Sequence, residues 1–391
     1  MSEPLRVLVV HNAYQHRGGE DSVVDAEVEL LRSHGHKVET WLRSNDEVKG
    51  MPILALAHTT LWSSRTSAEF PAFVGRFRPD VVHVHNTFPL ISPSLYWAAA
   101  RIGVPIVQTL HNFRLMCLNA MFLRKGKVCE DCVGRIPWRG VARACYRDSP
   151  SASATLAAML ALHRGLGTYR RKVARYIALN EFCRKKFIEG GLPAERVVVK
   201  PNFVDFAAPE PGPKSGLLFV GRLSAEKGVA TLAKALSLLP DVELRVAGTG
   251  PEAALLEGMS GVKCLGGLPG DVVRSEMGQA LALVVPSIWY ENFPRTIVEA
   301  FASGLPVIAS RIGALVDIVS DGETGLLFKP GNADDLAGKL AWALAHPDAM
   351  VEMGRKARMR YEADFSAEVN YRQLIEIYGE AMADRRRVFN V

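Results

Sequence analysis

LALVVPSIWYENFPRTIVEAFASG, residues 281–304, contains a strand, a loop and a helix in succession. The uninterrupted apolar run at its start predicts a short strand buried on both faces of a sheet. Pro294 suits the first turn of a helix and Gly304 suits its end. Glu291 then lies in the loop, and Glu299 lies about one and a half turns into the helix. The stretch therefore predicts one unit of a parallel α/β sheet, with carboxylates where ligands bind.

Length and composition predict a globular protein with two domains. The chain has 391 residues, of which 48% are hydrophobic and 23% are charged. No run of about 18 uncharged apolar residues occurs, so no membrane span is expected. The N-terminus, MSEPLRVLVVHN, has an early acidic residue and a short apolar run that is typical of a strand, not of a secretory signal. We expect a cytoplasmic protein.

The charge balance favours anionic partners. The net charge is +6 and the pI is about 9.0, which suits nucleic acid, anionic lipid headgroups or phosphorylated substrates. Part of the excess is clustered in YRRKVARY (169–176) and CRKKF (183–187). These clusters indicate either a solvated helix face or a membrane-facing surface, and composition does not separate the two.

Strand and helix patterns alternate through the first half of the chain, residues 1–200. Four apolar runs predict strands, and the later two end in His and Asn: RVLVV (6–10), HKVETWL (36–42), DVVHVHN (80–86) and PIVQTLHN (105–112). Between the first two runs a helical stretch ends at Gly35. The alternation predicts a parallel sheet covered by helices, whose polar strand ends form a binding edge.

The second half repeats this organisation after a break. Residues 201–215 are rich in proline and lack periodicity, so we predict a linker. Residues 216–365 again alternate, with a helix expected between each pair of strands, including the one between VELRVAG (242–248) and VKCLGG (262–267). A closing helix in 366–391 is expected to pack towards the first domain. The prediction is two Rossmann-like, doubly wound domains that face a central cleft.

GRLSAEKG, residues 221–228, follows a predicted strand and opens a helix. Glycines allow a ligand to approach the backbone closely, and a helix N-terminus favours an anion. Arg222 and Lys227 add two cations that could bind the two phosphates of a diphosphate. The alternative is a loop with two solvated cations.

These motifs form an ordered set that resembles a known family. In chain order the set comprises Gly18-Gly19, His111, Pro201-Asn202 with Val204-Asp205, GRLSAEKG, AGTGP (247–251), GGLP (266–269) and Glu291 with Glu299. It resembles the retaining glycosyltransferases of family 4 (glycosyl transferases group 1), which have the two-domain GT-B fold. The resemblance covers nearly the whole chain. One departure is Phe203, where the family usually has glycine, so acceptor or hinge geometry there can differ.

The resemblance implies a role for each matching residue. Arg222 and Lys227 would bind the diphosphate of a nucleotide-sugar, Glu291 would contact sugar hydroxyls, and His111 would lie near the reacting centre. Glu299 would hold the ribose. The implied catalytic residues are His111, Arg222, Lys227 and Glu291. The implied donor-binding residues are Gly18, Gly19, Gly248, Gly250, Gly266, Gly267, Leu268, Asn292, Phe293, Pro294 and Glu299.

The implied reaction is transfer of a sugar from a UDP- or GDP-type donor to a hydroxyl acceptor, with retention and without a covalent intermediate. Negative charge grows on the diphosphate as the bond breaks, and preorganised cations stabilise that charge. The sequence has no acidic Asp-x-Asp cluster near the donor motifs, so we expect catalysis without a metal and without a required cofactor. Family and charge together suggest polysaccharide or glycolipid assembly, a lipid-linked acceptor, and peripheral association with the inner face of the membrane.

Four cysteines form a separate pattern in an insert after His111, at about residues 117–145. Cys117, Cys129, Cys132 and Cys145 include one C-x2-C pair. Four thiolates can hold a structural zinc ion, but the outer spacings are irregular for a zinc ribbon. Reduced thiols and redox or disulfide chemistry remain open, although the cytoplasm disfavours stable disulfides. Cys183 and Cys264 are expected to be ordinary buried residues.

Three other functions compete with this interpretation. A nucleotide-sugar epimerase or hydrolase on the same scaffold would need a catalytic acid/base set and no acceptor site. A dehydrogenase is disfavoured because neither half carries G-x-G-x-x-G between strand and helix. A nucleic-acid-binding protein would use the cysteine insert and the basic helices, yet no groove with stacking aromatics is indicated. No nucleic-acid partner is expected.

Overall fold

The computed structural model describes residues 3–15, 17–206 and 212–384. The chain divides into two compact units. The first contains the residues up to Met121, Glu130–Pro201 and the residues from Asn370 onward. The second contains Phe122–Cys129 and Asn202–Val369. Of the predicted linker, residues 207–211 lie outside the described part of the chain.

A six-stranded sheet forms the centre of the first unit. Its strands are β1 (Arg6–Ala13), β2 (Lys37–Ser44), β3 (Val81–Asn86), β4 (Ile106–Thr109), β7 (Arg175–Ala178) and β8 (Val197–Val199). All neighbouring strands are parallel, in the order β2-β1-β3-β4-β7-β8. Val7, Leu8, Val9 and Val10 are fully buried, as expected for a strand covered by helices on both faces. The order reverses between β1 and β3, so the polar ends of these strands lie at a switch point.

Helices cover the first sheet. They are α1 (Gly19–Ser33), α2 (Ile53–Leu61), α3 (Ser64–Phe77), α4 (Ser94–Ile102), α5 (Trp138–Ala142), α6 (Pro150–Gly165), α7 (Thr168–Arg171), α8 (Glu181–Glu189) and, at the end of the chain, α15 (Ala367–Ala383). The last helix buries Leu374 and Tyr378 completely. Residues 385–391 of the predicted closing segment lie outside the described residues.

The second unit contains another parallel six-stranded sheet. Its strands are β9 (Leu217–Val220), β10 (Leu244–Ala247), β11 (Val262–Gly266), β12 (Ala282–Val285), β13 (Val307–Ser310) and β14 (Gly325–Phe328). Their order is β11-β10-β9-β12-β13-β14, the 3-2-1-4-5-6 order of the Rossmann fold. The hairpin of β5 (Leu123–Arg124) and β6 (Lys127–Val128) also belongs to this unit. The prediction of two doubly wound α/β domains is confirmed.

The helices of the second unit follow the predicted alternation with one exception. They are α9 (Val229–Ser237), α10 (Gly270–Gln279), α11 (Arg295–Ala302), α12 (Ala314–Ile318), α13 (Ala333–Ala345) and α14 (Pro347–Asp364). The prediction of a helix between β10 and β11 is wrong, because only a single 3-10 turn, Ala253–Leu255, forms there. Gly258 and Gly261 follow it with positive φ of 77° and 73°, which ends helical structure.

Within the described ranges, no helix is both long enough and apolar enough to cross a bilayer.

Candidate functional site

The predicted phosphate loop and the opening stretch meet at the switch point of the second sheet. Strands β9 and β12 are neighbours there, and the strand order reverses between them. GRLSAEKG follows β9, and the loop 286–294 follows β12. Because both strands are parallel, their carboxyl ends lie at the same edge, which is where ligands of doubly wound sheets bind.

An ion pair joins these two loops. Lys227 Nζ lies 2.6 Å from Glu291 Oε1, and the Ser287 hydroxyl donates to the same oxygen at 2.7 Å. Glu291 is only 5% exposed. The Lys227 ammonium also lies 5.7 Å from the centre of the Trp289 ring. The pair gives the switch point one partly exposed cation held by a buried carboxylate, so an incoming anion would compete with Glu291 for Lys227.

Two glycines allow the loops to pack this closely. Gly228 has φ of 74°, and a Cβ there would lie 1.9 Å from the carbonyl oxygen of Pro286. A Cβ on Gly248 would lie 1.8 Å from the carbonyl oxygen of Gly221. Both distances are far inside van der Waals contact, so any larger residue would force the loops apart.

Arg222 and Glu299 occupy different positions around this pair. The side chain of Arg222 is exposed, and among the described residues it forms no ion pair, so it remains available to a ligand. Glu299 lies on α11, with its carboxylate 3.4 Å from Arg295 Nη2. Burial raises the pKa of Glu299 above its ordinary value, and the charges of Arg295 and Arg274 oppose that rise. Glu299 is therefore a partly desolvated acceptor.

The remaining residues predicted to bind the nucleotide-sugar donor lie around the same edge of the second sheet. Pro294 precedes α11 and cannot cap it with a side chain, so this helix start offers backbone N–H groups to an anion. Asn292 is buried, and Phe293 packs on the core. Gly266 ends β11, and its carbonyl accepts from the Gly248 N–H at 2.7 Å. That bond links the two glycine loops, with Gly250, Gly267 and Leu268 beside them.

In the first unit, a carboxylate organises the Gly18-Gly19 turn. Asp21 accepts hydrogen bonds from the backbone N–H groups of Gly18 at 2.8 Å and of Tyr14 at 3.3 Å. It also lies 2.8 Å from His11 Nε2. A Cβ on Gly19 would meet nothing within 4 Å. The hydrogen bonds of Asp21 therefore fix the start of α1, while the space next to Gly19 stays open to a ligand.

Glu20, next to this turn, has a strongly perturbed carboxyl group. Burial raises its pKa to about 8, although a hydrogen bond from the Tyr14 hydroxyl at 2.8 Å opposes the rise. Its Oε1 has no hydrogen-bond partner among the described residues. A carboxyl group that stays protonated at neutral pH is a signature of functional sites, and no sequence motif indicates it here.

His111 lies after β4 and is partly buried. Its Nε2 is 2.9 Å from Nδ1 of His85, which lies on the neighbouring strand β3. The two rings are stacked with centres 5.2 Å apart. Although His111 keeps some exposed surface, the protein packed around it lowers its pKa to about 3. At neutral pH this imidazole is uncharged, so it is suited to hydrogen bonding with a sugar and not to neutralising phosphate.

The four cysteines of the insert are all half-buried. Cys117 Sγ donates to Asn119 Oδ1 at 2.9 Å, and the Cys129 N–H donates to the carbonyl of Phe122 at 2.7 Å. The zinc site stays a prediction. Cys183 is buried as expected, but the expectation for Cys264 is wrong, since it is exposed on the edge strand β11.

The basic clusters do not form one solvated helix face. YRRKVARY spans the short helix α7 and the strand β7. Arg175 is paired with Glu380 and Asp384 of α15 and its end, and Lys186 is paired with Glu130 and Glu189. Part of the clustered charge is therefore compensated within the first unit.

Several residues at these sites were not identified from sequence. Ser287 and Trp289 support the Lys227–Glu291 pair, while Glu27 and His85 lie behind His111. The sequence contains one indication of these residues, the segment DVVHVHN. His83 and His85 are two positions apart in it, so they lie on the same face of a buried strand. Buried histidines are costly unless they are hydrogen-bonded.

Comparison with known proteins identifies the family. Residues 18–202 match the family described as Glycosyl transferase 4-like domain, and residues 203–360 match the one described as Glycosyl transferases group 1. The phosphatidyl-myo-inositol mannosyltransferase of Mycolicibacterium smegmatis is 32% identical over 372 residues, which cover 87% of this chain and 84% of that protein. The chain belongs to the group 1 glycosyltransferases, of the family 4 type.

Another similar sequence and a similar solved structure agree with this family assignment. Sulfoquinovosyl transferase SQD2 of Arabidopsis thaliana is 26% identical over 300 residues, which cover 74% of this chain and 54% of the length of that relative. The crystal structure of Alr3699/HepE from Anabaena, in complex with UDP and glucose, has a TM-score of 0.64 at 18% identity and covers 96% of this chain and 99% of that one. At that identity the likeness shows a shared GT-B fold.

Proposed function

We propose that this protein is a retaining glycosyltransferase that moves a sugar from a nucleoside-diphosphate sugar to a hydroxyl acceptor. The observation that carries the proposal is the Lys227–Glu291 pair at the switch point of the second sheet. It combines a cation for a diphosphate with a carboxylate for sugar hydroxyls on adjacent loops. The binding of UDP and glucose by the Anabaena protein supports the same donor class.

In the proposed reaction, the bond between the anomeric carbon and the diphosphate oxygen breaks while the acceptor hydroxyl attacks from the same face. The acceptor proton passes to the leaving diphosphate, which keeps the bonding electrons. Lys227 and Arg222 stabilise the charge that grows on the diphosphate, and the start of α11 adds backbone N–H groups. Glu291 orients the transferred sugar and forms no covalent bond to it. This route uses no metal ion.

The donor site is tested by thermal unfolding with UDP, GDP, ADP and NAD, each added separately. A ligand that binds only the folded state stabilises it by about 2.7 kcal/mol at one hundred times its Kd. We expect one nucleoside diphosphate to raise the Tm, because its phosphates meet Lys227 and Arg222. In Glu299→Ala that rise should be largely lost, since the partly buried Glu299 carboxylate no longer accepts from the ribose.

The matched control is Glu323→Ala, which removes an exposed carboxylate from the same unit. This variant should keep the full response to the diphosphate. A response to NAD alone, or an unchanged response in Glu299→Ala, would contradict the proposed donor site.

The acceptor class is suggested by a cavity in the first unit. It has a volume of about 480 Å³, and most of its exposed lining is apolar. Ile53 and Leu54, in the first turn of α2, are 81% and 85% exposed at this cavity. Arg114 and Arg147 also line it, and none of the described lining residues is acidic. An apolar groove with two cations suits an acceptor that joins a lipid chain to a phosphate group, which supports glycolipid or lipid-linked polysaccharide assembly.

Sedimentation with anionic phospholipid vesicles at low salt tests this acceptor class. We expect the wild-type protein to sediment and the double variant Ile53→Gln, Leu54→Gln to stay in the supernatant, because two exposed apolar side chains are lost. Leu42→Gln changes a residue that is 53% exposed in the same unit and should sediment like the wild type. Equal sedimentation of all three proteins, or of none, would sink the lipid part of the proposal.

A further inference from the structure

A cluster of polar side chains is buried behind His111 in the first unit. Its centre is Glu27 on α1, which is 1% exposed. His83 and His85 on β3 are 0% and 3% exposed, and each contributes a ring nitrogen within 4.8 Å of the Glu27 carboxylate. Burying a carboxylate without partners is very costly, so the contacts of this cluster must account for its charge.

Lys200 compensates that charge. Its ammonium lies 2.7 Å from Glu27 Oε1 and 2.9 Å from the side-chain oxygen of Asn370, and its side chain is fully buried. Burial alone would raise the pKa of Glu27, but the charge of Lys200 and the hydrogen bond from its ammonium oppose that rise, and the pKa lies below its ordinary value. Glu27 is therefore a buried carboxylate anion at neutral pH.

The cluster is better suited to hydrogen bonding than to a metal ion. His83 uses both ring nitrogens, with Nδ1 2.7 Å from the Tyr378 hydroxyl and Nε2 2.8 Å from the Thr109 hydroxyl. Lys200 already occupies one carboxylate oxygen of Glu27. A divalent ion would have to displace these bonds and approach an ammonium group, and both steps are unfavourable.

The remaining carboxylate oxygen faces His85. Glu27 Oε2 lies 3.3 Å from His85 Nε2, and neither atom forms a hydrogen bond of good geometry among the described residues. Two lone pairs at this distance would repel each other in a buried site, so one of the two atoms carries a proton. Because Glu27 is ionised, that proton is on His85 Nε2.

The proton on His85 decides the state of His111. A neutral imidazole that carries its proton on Nε2 has a lone pair on Nδ1. His85 Nδ1 lies 2.9 Å from His111 Nε2, so His111 must donate from Nε2 to complete that bond. This leaves the Nδ1 lone pair of His111 as its only remaining hydrogen-bonding site.

We propose that Glu27 and His85 are positioning residues that hold His111 as a neutral hydrogen-bond acceptor, with its proton on Nε2 and its lone pair on Nδ1. The relevance to catalysis rests on the proposed function, in which His111 lies beside the sugar. In this state His111 accepts a hydrogen bond from a hydroxyl group and gives no charge to the diphosphate. Its ligand is thus a sugar or acceptor hydroxyl.

The neighbourhood of His111 is consistent with this state. The titratable groups that act on it are Glu27 and Asp21 of α1, His11 of β1, His85 and Lys200. Burial lowers the pKa of His85 well below its ordinary value and that of His111 to about 3. All of these imidazoles therefore remain uncharged at neutral pH. The hydrogen bond between His85 and His111 requires this, because only one proton can lie between the two facing nitrogens.

The test is ¹⁵N NMR of histidine-labelled full-length protein at pH 7, with the His111 signals assigned by their loss in His111→Asn. In the wild type we expect one neutral tautomer with the proton on Nε2. His85→Leu removes the acceptor and should give a mixture of tautomers. His85→Asn keeps an oxygen close to the former Nδ1 position and should restore the Nε2 proton.

His163→Leu is the matched control, because His163 is equally buried in the same unit and is bonded to Thr168 and the Leu61 carbonyl. It should leave the His111 tautomer unchanged while lowering the Tm comparably. A charged His111, a proton on Nδ1 in the wild type, or an unchanged tautomer in His85→Leu would overturn the proposal. The spectra need no substrate, so this result is independent of the proposed function.

Turnover supplies the link to that function, with UDP release from UDP-glucose as the assay. His85→Leu should lower kcat by about 10–100-fold, the loss known for partners that orient a metal-binding histidine, while the KM for the donor stays the same. His85→Asn should recover most of the rate. An inactive wild type would count against the donor assignment alone, whereas wild-type kcat in His85→Leu would contradict the positioning role.

Discussion

We expect Lys227→Ala to lower kcat by about 10²–10³-fold, the loss seen when one preorganised donor to a developing anion is removed. The structure holds Lys227 at the edge between β9 and β12, 2.6 Å from Glu291 Oε1. Because the charge it stabilises grows only as the donor bond breaks, the loss should appear in kcat more than in KM. Glu291→Ala should lower kcat to a similar extent, since Lys227 and the sugar both lose their partner.

Steady-state release of nucleoside diphosphate measures this effect. Lys234→Ala is the matched control, because it removes an exposed lysine from α9 in the same unit and should keep wild-type kinetics. Residues that act as a unit have non-additive effects, so the double variant Lys227→Ala, Glu291→Ala should be little worse than either single one. Wild-type turnover in both single variants, with unchanged Tm, would refute the assignment.

We expect Lys200→Met to lower the free energy of unfolding by roughly 3–5 kcal/mol, as is typical when one partner of a buried ion pair is removed. The substitution keeps most of the side-chain volume but leaves the Glu27 carboxylate buried without its cation. Asn370 also loses a donor. Urea-induced unfolding, followed by circular dichroism, measures the change.

The reciprocal variant separates charge from packing. Glu27→Gln combined with Lys200→Met removes both charges, so its loss of stability should be smaller than the sum of the two single losses. Lys185→Met, an exposed lysine of the same unit, should unfold at the wild-type midpoint. If Lys200→Met also unfolds at the wild-type midpoint, Lys200 does not compensate the charge of Glu27 in the folded protein.

The residues of the switch-point site could be predicted from the sequence. Apolar runs bounded by glycine and proline placed β9 and β12, and the loops after them contained Lys227 and Glu291. The pairing of these two side chains was not predicted, since they are 64 positions apart. Only the order of the strands brings their loops together.

The exposed Cys264 and the absent helix before β11 show how local patterns fail. Cys264 lies in an apolar run typical of a buried strand, yet β11 is the edge of its sheet, where no further strand covers it. The helix failed because Gly258 and Gly261 break it. Position within the sheet is a property of the whole unit, whereas periodicity reports only on neighbouring residues.

Local apolar periodicity and turn residues predict the two α/β units and the loops that carry cations and carboxylates, and the ordered set of motifs indicates the family by resemblance. Which charges are buried and which protons are shared depends on contacts that form only in the folded units. Lys200 is an ordinary lysine in sequence, but it is fully buried beside Glu27, which lies 173 positions away. The protonation of His111 depends in turn on His85 and Glu27, because a buried charge can be compensated only by groups that the fold brings into contact.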